Sequence, residues 1–137
     1  MVVKRITLIL GLLALVIISS SFFQAYNLPK SVAAGKPVYE TYCMNCHMAD
    51  GKGTPDVFPP LAKADFLKKP GKNLIEVILL GQTGEVVVNG KTYNGIMPAQ
   101  DYLTDEQIAD VLNYSRNSWG NKIPGTITPA QVKALRK

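Results

Sequence analysis

The sequence is poor in the side chains that hold metals. Its 137 residues include one histidine and two cysteines. A structural zinc site normally takes four Cys or His ligands, so three such residues exclude one unless two chains share it. No basic stripe interleaved with aromatics is present, which excludes a nucleic-acid partner as the leading reading. The formal charge is +5, but Lys4 and Arg5 sit at the extreme N-terminus, leaving +3 on residues 26 to 137. Those positive charges are scattered singly, apart from Lys68-Lys69 and Arg136-Lys137. There is no internal repeat, no second domain and no alternation of strands and helices. No cysteine lies near residue 20, so lipid attachment through one is excluded.

What is present begins with Lys4 and Arg5 ahead of Ile6 to Ile18, a run of 13 residues with no charge and no proline. Ser19, Ser20 and Ser21 follow, then Phe22 and Phe23. A positive end, an apolar run and small residues beyond it read as an export signal. Counted through Phe23 the run reaches 18 residues, the lower edge of membrane-spanning length. Residues 1–25 are therefore expected to be a cleaved signal peptide or a retained N-terminal membrane anchor. Both place the remainder outside the cytoplasm, since Lys4 and Arg5 mark the inner side. About 110 residues then remain, one small domain that is marginal without a disulfide or a bound group.

Residues 26–32 read as a linker. From Ala33 to Tyr42 a helix is expected, with Pro37 tolerable near its first turn and Val38 and Tyr42 on one face. Met48 to Pro60 reads as loop. Short helices are expected over Lys63 to Lys68 and Asn73 to Leu80, the latter with Leu74, Ile75, Ile78 and Leu79 on a helical period. Glu85 to Tyr93 holds three valines and Asn89-Gly90, signals for a small hairpin or a wide loop with a tight turn. Thr104 to Ser118 is the clearest helix, with Thr104 and Gln107 as a capping box, Ile108, Val111, Leu112 and Ser115 on one face and Gly120 as a stop. Thr128, Pro129 and Gln131 open a last helix to Arg136. The fold class expected is all-α.

All the soft ligands lie together in Cys43-Met44-Asn45-Cys46-His47. A redox-active CxxC pair is one reading, which exported proteins do use. The histidine directly after the second cysteine, and the lack of an α/β pattern around the pair, favour covalent c-type haem attachment. Two thiols two residues apart reach the two vinyl-derived positions on one porphyrin edge, and the next residue turns an imidazole under the iron. A sixth ligand must then come from elsewhere. No second histidine exists, Met1 belongs to the leader, and Met44 and Met48 are too close to the attachment site. Met97 remains, in "NGIMPAQ" between Gly95 and Pro98, where the alternative is that it fills the core. The metal ligands expected are His47 and Met97. Axial methionine raises the potential relative to a second histidine.

With "GKPVYETYCMNCH", "GKG", "PPL", "GIMP" and "IADVLNYSRNSW", the chain resembles a class I monohaem cytochrome c over roughly Ala33 to Trp119. It is most similar to small bacterial c-type domains that are membrane-anchored or enzyme-associated. The resemblance implies a cytochrome c domain over 33–120 and a C-terminal extension over 121–137. Gly35 and Tyr39 would meet Tyr114 where the first and last helices cross. Pro59 in "FPPL", or Pro60 beside it, would supply the carbonyl that holds the histidine ring. Tyr93 and Trp119 would bond a haem propionate or else simply pack. Lys52, Lys63, Lys68, Lys69 and Lys91 would rim a docking face or else be ordinary solvated surface.

The function implied is one-electron transfer by one covalent haem c, its iron cycling between ferrous and ferric states. The protein would be a carrier and not a catalyst, with redox proteins as partners: a quinol-oxidising complex, a terminal oxidase or reductase. It would touch the membrane only through a retained N-terminus, and no small organic substrate is expected. The location implied is the outer, periplasmic face of a bacterial cytoplasmic membrane, or the periplasm after cleavage. Alternatives are an electron-entry subunit of a membrane oxidoreductase complex, a haem protein that binds small ligands, and a haem-free thiol exchange protein.

Overall fold

The computed structural model describes residues 26–136. The signal or anchor expected over 1–25 lies outside them, and among the described residues no helix is long and apolar enough to cross a membrane. Helix α1 covers Leu28–Tyr42, α2 Met44–His47, a 3-10 turn Asp65–Lys68 and α3 Gly71–Leu80. A hairpin of β1, Val86–Val88, and β2, Lys91–Tyr93, precedes α4, Asp105–Asn117, and α5, Pro129–Lys133. The class is all-α, with one two-stranded ribbon.

The segment expected to be a linker is instead the start of α1. Asn27 caps it, accepting from the Lys30 amide at 3.0 Å, and Pro29 stands in the first turn, where its missing N–H costs nothing. Tertiary contacts fix this early start. The Tyr26 hydroxyl donates to the Asp110 carboxylate, Ser31 Oγ donates to it at 2.5 Å, and Ser31 is buried. Pro37 consequently lies in the helix interior. It cannot bond the carbonyl four residues back, yet Ala33 and Pro37 are both exposed, so water can reach that oxygen. The buried positions of α1 are Ser31, Gly35, Val38 and Tyr39, while Tyr42 is half exposed and stacks edge-on against Tyr102 at 5.8 Å.

Helices α1 and α4 cross at Gly35. Any Cβ there would overlap the Asp110 carbonyl and the Tyr114 side chain, so glycine is what permits the approach. Tyr39 packs on Tyr114 at 5.4 Å and on Trp119 at 4.8 Å. Helix α4 starts with the capping box Thr104–Gln107 and ends at Asn117, with Ser118 as its C-cap. Its apolar face of Ile108, Val111 and Leu112 meets α3, which buries Leu74, Ile75, Ile78 and Leu79.

The stretch expected to be an added tail belongs to the same core. Ile127 and Val132 are fully enclosed. Asn113 on α4 bonds the Ile127 backbone on both sides, its Nδ2 to the carbonyl at 2.8 Å and its Oδ1 from the amide at 2.9 Å. Asn121 Nδ2 donates to the Leu61 and Ser115 carbonyls, and its Oδ1 accepts from the Lys63 amide at 2.8 Å. Buried amides paired this fully tie loop, helix and strap into one unit.

Candidate functional site

An apolar cavity opens between α2, α3, α4 and the loop around residue 97, with roughly 1190 Å³ of atom-free space including its mouth. Leu67, Leu74, Ile78, Val111, Leu112 and Val88 wall its interior. Cys43, Cys46 and His47 line it, and so do Pro59 and Met97. The structure thus brings together five of the six residues singled out for the site. Tyr93, the sixth, is buried in the core and does not line the cavity. It is seated on β2 opposite Val86, where packing accounts for it.

The histidine side is built locally. One helical turn carries Cys43 to His47, closed by the His47 amide on the Cys43 carbonyl at 3.0 Å. Both thiols are free rather than paired with each other. Burial, and after it the neighbouring Cys46, pushes the Cys43 thiol up to about 11. A thiol held protonated at neutral pH is a poor exchange nucleophile, which weakens the dithiol reading. His47 Nδ1 lies 3.0 Å from the Pro59 carbonyl. A carbonyl only accepts, so Nδ1 carries the proton and Nε2 is left with a free lone pair. Burial lowers the His47 pKa, and the bond to Pro59 opposes that in part. Pro59 can approach because Gly53, at φ 69°, has no Cβ to overlap its carbonyl.

The methionine side is held through its backbone. Met97 exchanges both hydrogen bonds with Gln82, N to O at 2.9 Å and O from N at 2.8 Å. The Gln100 amide donates to the Ile78 carbonyl at 2.8 Å, fastening the loop to α3. Gly81, at φ 75°, admits this contact, since a Cβ would strike the Met97 carbonyl. Gly95 likewise lies against the Val57 carbonyl and the Phe58 ring. Sequence reasoning missed Gly81 and Gln82; the only trace was a glycine directly after the periodic run of α3.

Trp119 is committed to packing. Its Nε1 donates to the Ala49 carbonyl at 3.0 Å, and its ring covers Gly51. Of the lysines considered for docking, Lys52 pairs with Asp50 at 2.9 Å and Lys91 with Asp56 at 2.5 Å. Lys69 sits over the Phe66 ring at 4.0 Å. Lys63 and Lys68 are exposed. Among the described residues no cluster of three or more His, Cys, Asp or Glu side chains is placed to hold a metal ion.

The cavity fits a flat apolar cofactor: its walls are hydrocarbon, two thiols lie at one edge, and an imidazole offers a free nitrogen. Comparison with known proteins agrees. The family profile described as Cytochrome c matches residues 32–119. Cytochrome c-552 of Thermus thermophilus is 40% identical over 124 residues, covering 85% of this chain and 83% of that protein. The cytochrome c subunit of the quinone alcohol dehydrogenase of Gluconobacter oxydans is 33% identical over 104 residues, 75% of this chain. The gluconate 2-dehydrogenase cytochrome c subunit of Pantoea cypripedii is 37% identical over 106 residues, again 75% of this chain. The chain spans 22% and 24% of the lengths of those two subunits.

Proposed function

The chain belongs to the cytochrome c family, and on that premise we propose that it relays single electrons between respiratory partners with His47 and Met97 as axial ligands. Cys43 and Cys46 hold a covalent haem c, and the protein is an electron carrier rather than a catalyst. When bound, that haem supplies an iron centre that gains and loses one electron.

The observation that carries the ligand assignment is that one apolar cavity is lined by both His47 and Met97. Pro59 fixes the imidazole tautomer, as outer partners of metal-binding histidines do. Gln82 holds the Met97 backbone while leaving its flexible thioether to adjust. With haem bound, His47 and Met97 would both hold its iron, which would leave substrate chemistry there no opening. The aliphatic walls exclude water and disfavour the more highly charged ferric state, raising the potential in the same sense as the thioether. The 1–25 segment serves as anchor or export signal, with the domain at the outer face of the cytoplasmic membrane or, after cleavage, in the periplasm. The subunit role is the second reading, favoured by relatives that are cytochrome c subunits of dehydrogenases.

Met97→Ala tests the assignment. Haem should remain covalently attached, the sulfur-to-iron charge-transfer band of the oxidised protein should vanish, carbon monoxide should bind without denaturant, and the potential should drop. An unchanged band and potential would remove Met97 from the iron. Intact mass reports both the bound haem and whether residues 1–25 survive.

A further inference from the structure

Arg116 is 8% exposed as a residue, and its guanidinium makes partly buried hydrogen bonds. Its Nη1 donates to the Gly125 carbonyl at 3.3 Å and its Nη2 to the Pro124 carbonyl at 2.7 Å. Nε has no hydrogen-bond partner. None of the ion pairs among the described residues includes Arg116. The nearest acidic side chain before it on α4, Asp110, is occupied by Tyr26 and Ser31. Among the described residues a largely buried permanent cation is therefore without a counter-ion, an arrangement that proteins normally avoid. Burial also lowers its pKa, the direction expected for a charge short of solvation.

Its position gives that charge something to act on. Ser115, the preceding residue, lines the cofactor cavity, and so does Leu112, one helical turn earlier. Arg116 is thus adjacent in the helix to two cavity-lining residues, while its guanidinium turns to the Pro124 and Gly125 carbonyls. Screening by water is weak where the side chain is enclosed.

We propose that Arg116 is a positioning charge that raises the reduction potential of the haem by disfavouring the ferric state. The proposal rests on the electron-carrier reading but not on Met97 as ligand. By Coulomb's law at an effective dielectric of about 20, the bias from one such charge is expected to be about a fivefold change in the oxidised-to-reduced ratio at fixed ambient potential. The competing view is that Arg116 only latches the 121–128 strap to α4.

Redox titration of the haem-loaded protein separates the two. Arg116→Lys keeps the charge and loses the planar fork. Arg116→Gln loses the charge and keeps N–H donors toward the strap. If the charge acts, Arg116→Gln lowers the midpoint and shifts the ratio about fivefold toward oxidised, while Arg116→Lys stays near the wild-type value, whatever either does to denaturant stability. Equal shifts in both variants, or none in Arg116→Gln, would overturn the proposal. Should Arg116→Gln fail to mature, Pro124→Glu sets a carboxylate beside the guanidinium from the exposed strap. It should lower the midpoint while Arg116 stays in place, and an unmoved midpoint there would equally overturn the assignment.

Discussion

The two sides of the cavity are held in different ways. On the histidine side the side chain itself is constrained: Nδ1 is bonded to Pro59 and the ring is buried. On the methionine side the constraint is on the backbone, through the paired bonds to Gln82, and Ile96 beside it is 69% exposed. The contrast is what the proposed ligation calls for. An imidazole binds along one direction and needs its other nitrogen fixed. A thioether on three rotatable bonds adapts, so the fold has only to bring it within reach.

The largest effect expected from breaking this comparison is at Gly53. A Gly53→Val change places a branched Cβ at φ 69° against the Pro59 carbonyl, and should destabilise by roughly 2–4 kcal/mol while freeing the His47 ring. Denaturant unfolding and the haem spectrum together check it, and an unaltered spectrum would mean that Pro59 does not orient the ring. Gly81→Ala, at φ 75°, should destabilise less, by about 1–3 kcal/mol, and weaken the methionine side alone. Its signature would be partial loss of the sulfur-to-iron band with haem retained.

The smallest effect is acid sensitivity, and it belongs to one side only. Burial holds His47 neutral below its ordinary pKa, and the iron bond proposed for Nε2 acts in the same direction. The unfolded chain takes up a proton near pH 6.5 and the folded chain does so only lower down. Stability therefore falls as pH drops through that window, by at most about 1.4 kcal/mol per pH unit. Met97 does not titrate. A denaturant midpoint that moves downward between pH 7 and pH 5.5 would fit, and equal midpoints would show that the imidazole is not the sensitive group.

Much of the site could be read directly because its chemistry is compact in sequence. Cys43, Cys46 and His47 occupy one helical turn, so their placement depends on local geometry, and Met97, the one methionine left as a candidate, lines the same cavity. Helices with strong caps were equally legible: Thr104–Gln107 and Thr128–Gln131 form the reciprocal bonds their spacing implies. The Asn89-Gly90 hairpin forms with both residues at positive φ.

Tertiary structure decided the rest. Tyr26 to Val32 has the composition of a tether, but Asp110, over eighty residues away from Tyr26 in sequence, draws Tyr26 and Ser31 into a helix. The tail is part of the core because Asn113 on α4 bonds the Ile127 backbone, and because Asn121, within the tail, reaches the Leu61 and Ser115 carbonyls. Tyr93 shares a face of the ribbon with its partner Val86, which lines the cavity, yet its own side chain is taken up by the core. Local spacing sufficed for chemistry contained in one turn; burial and long-range polar pairing involve partners that no window of sequence contains.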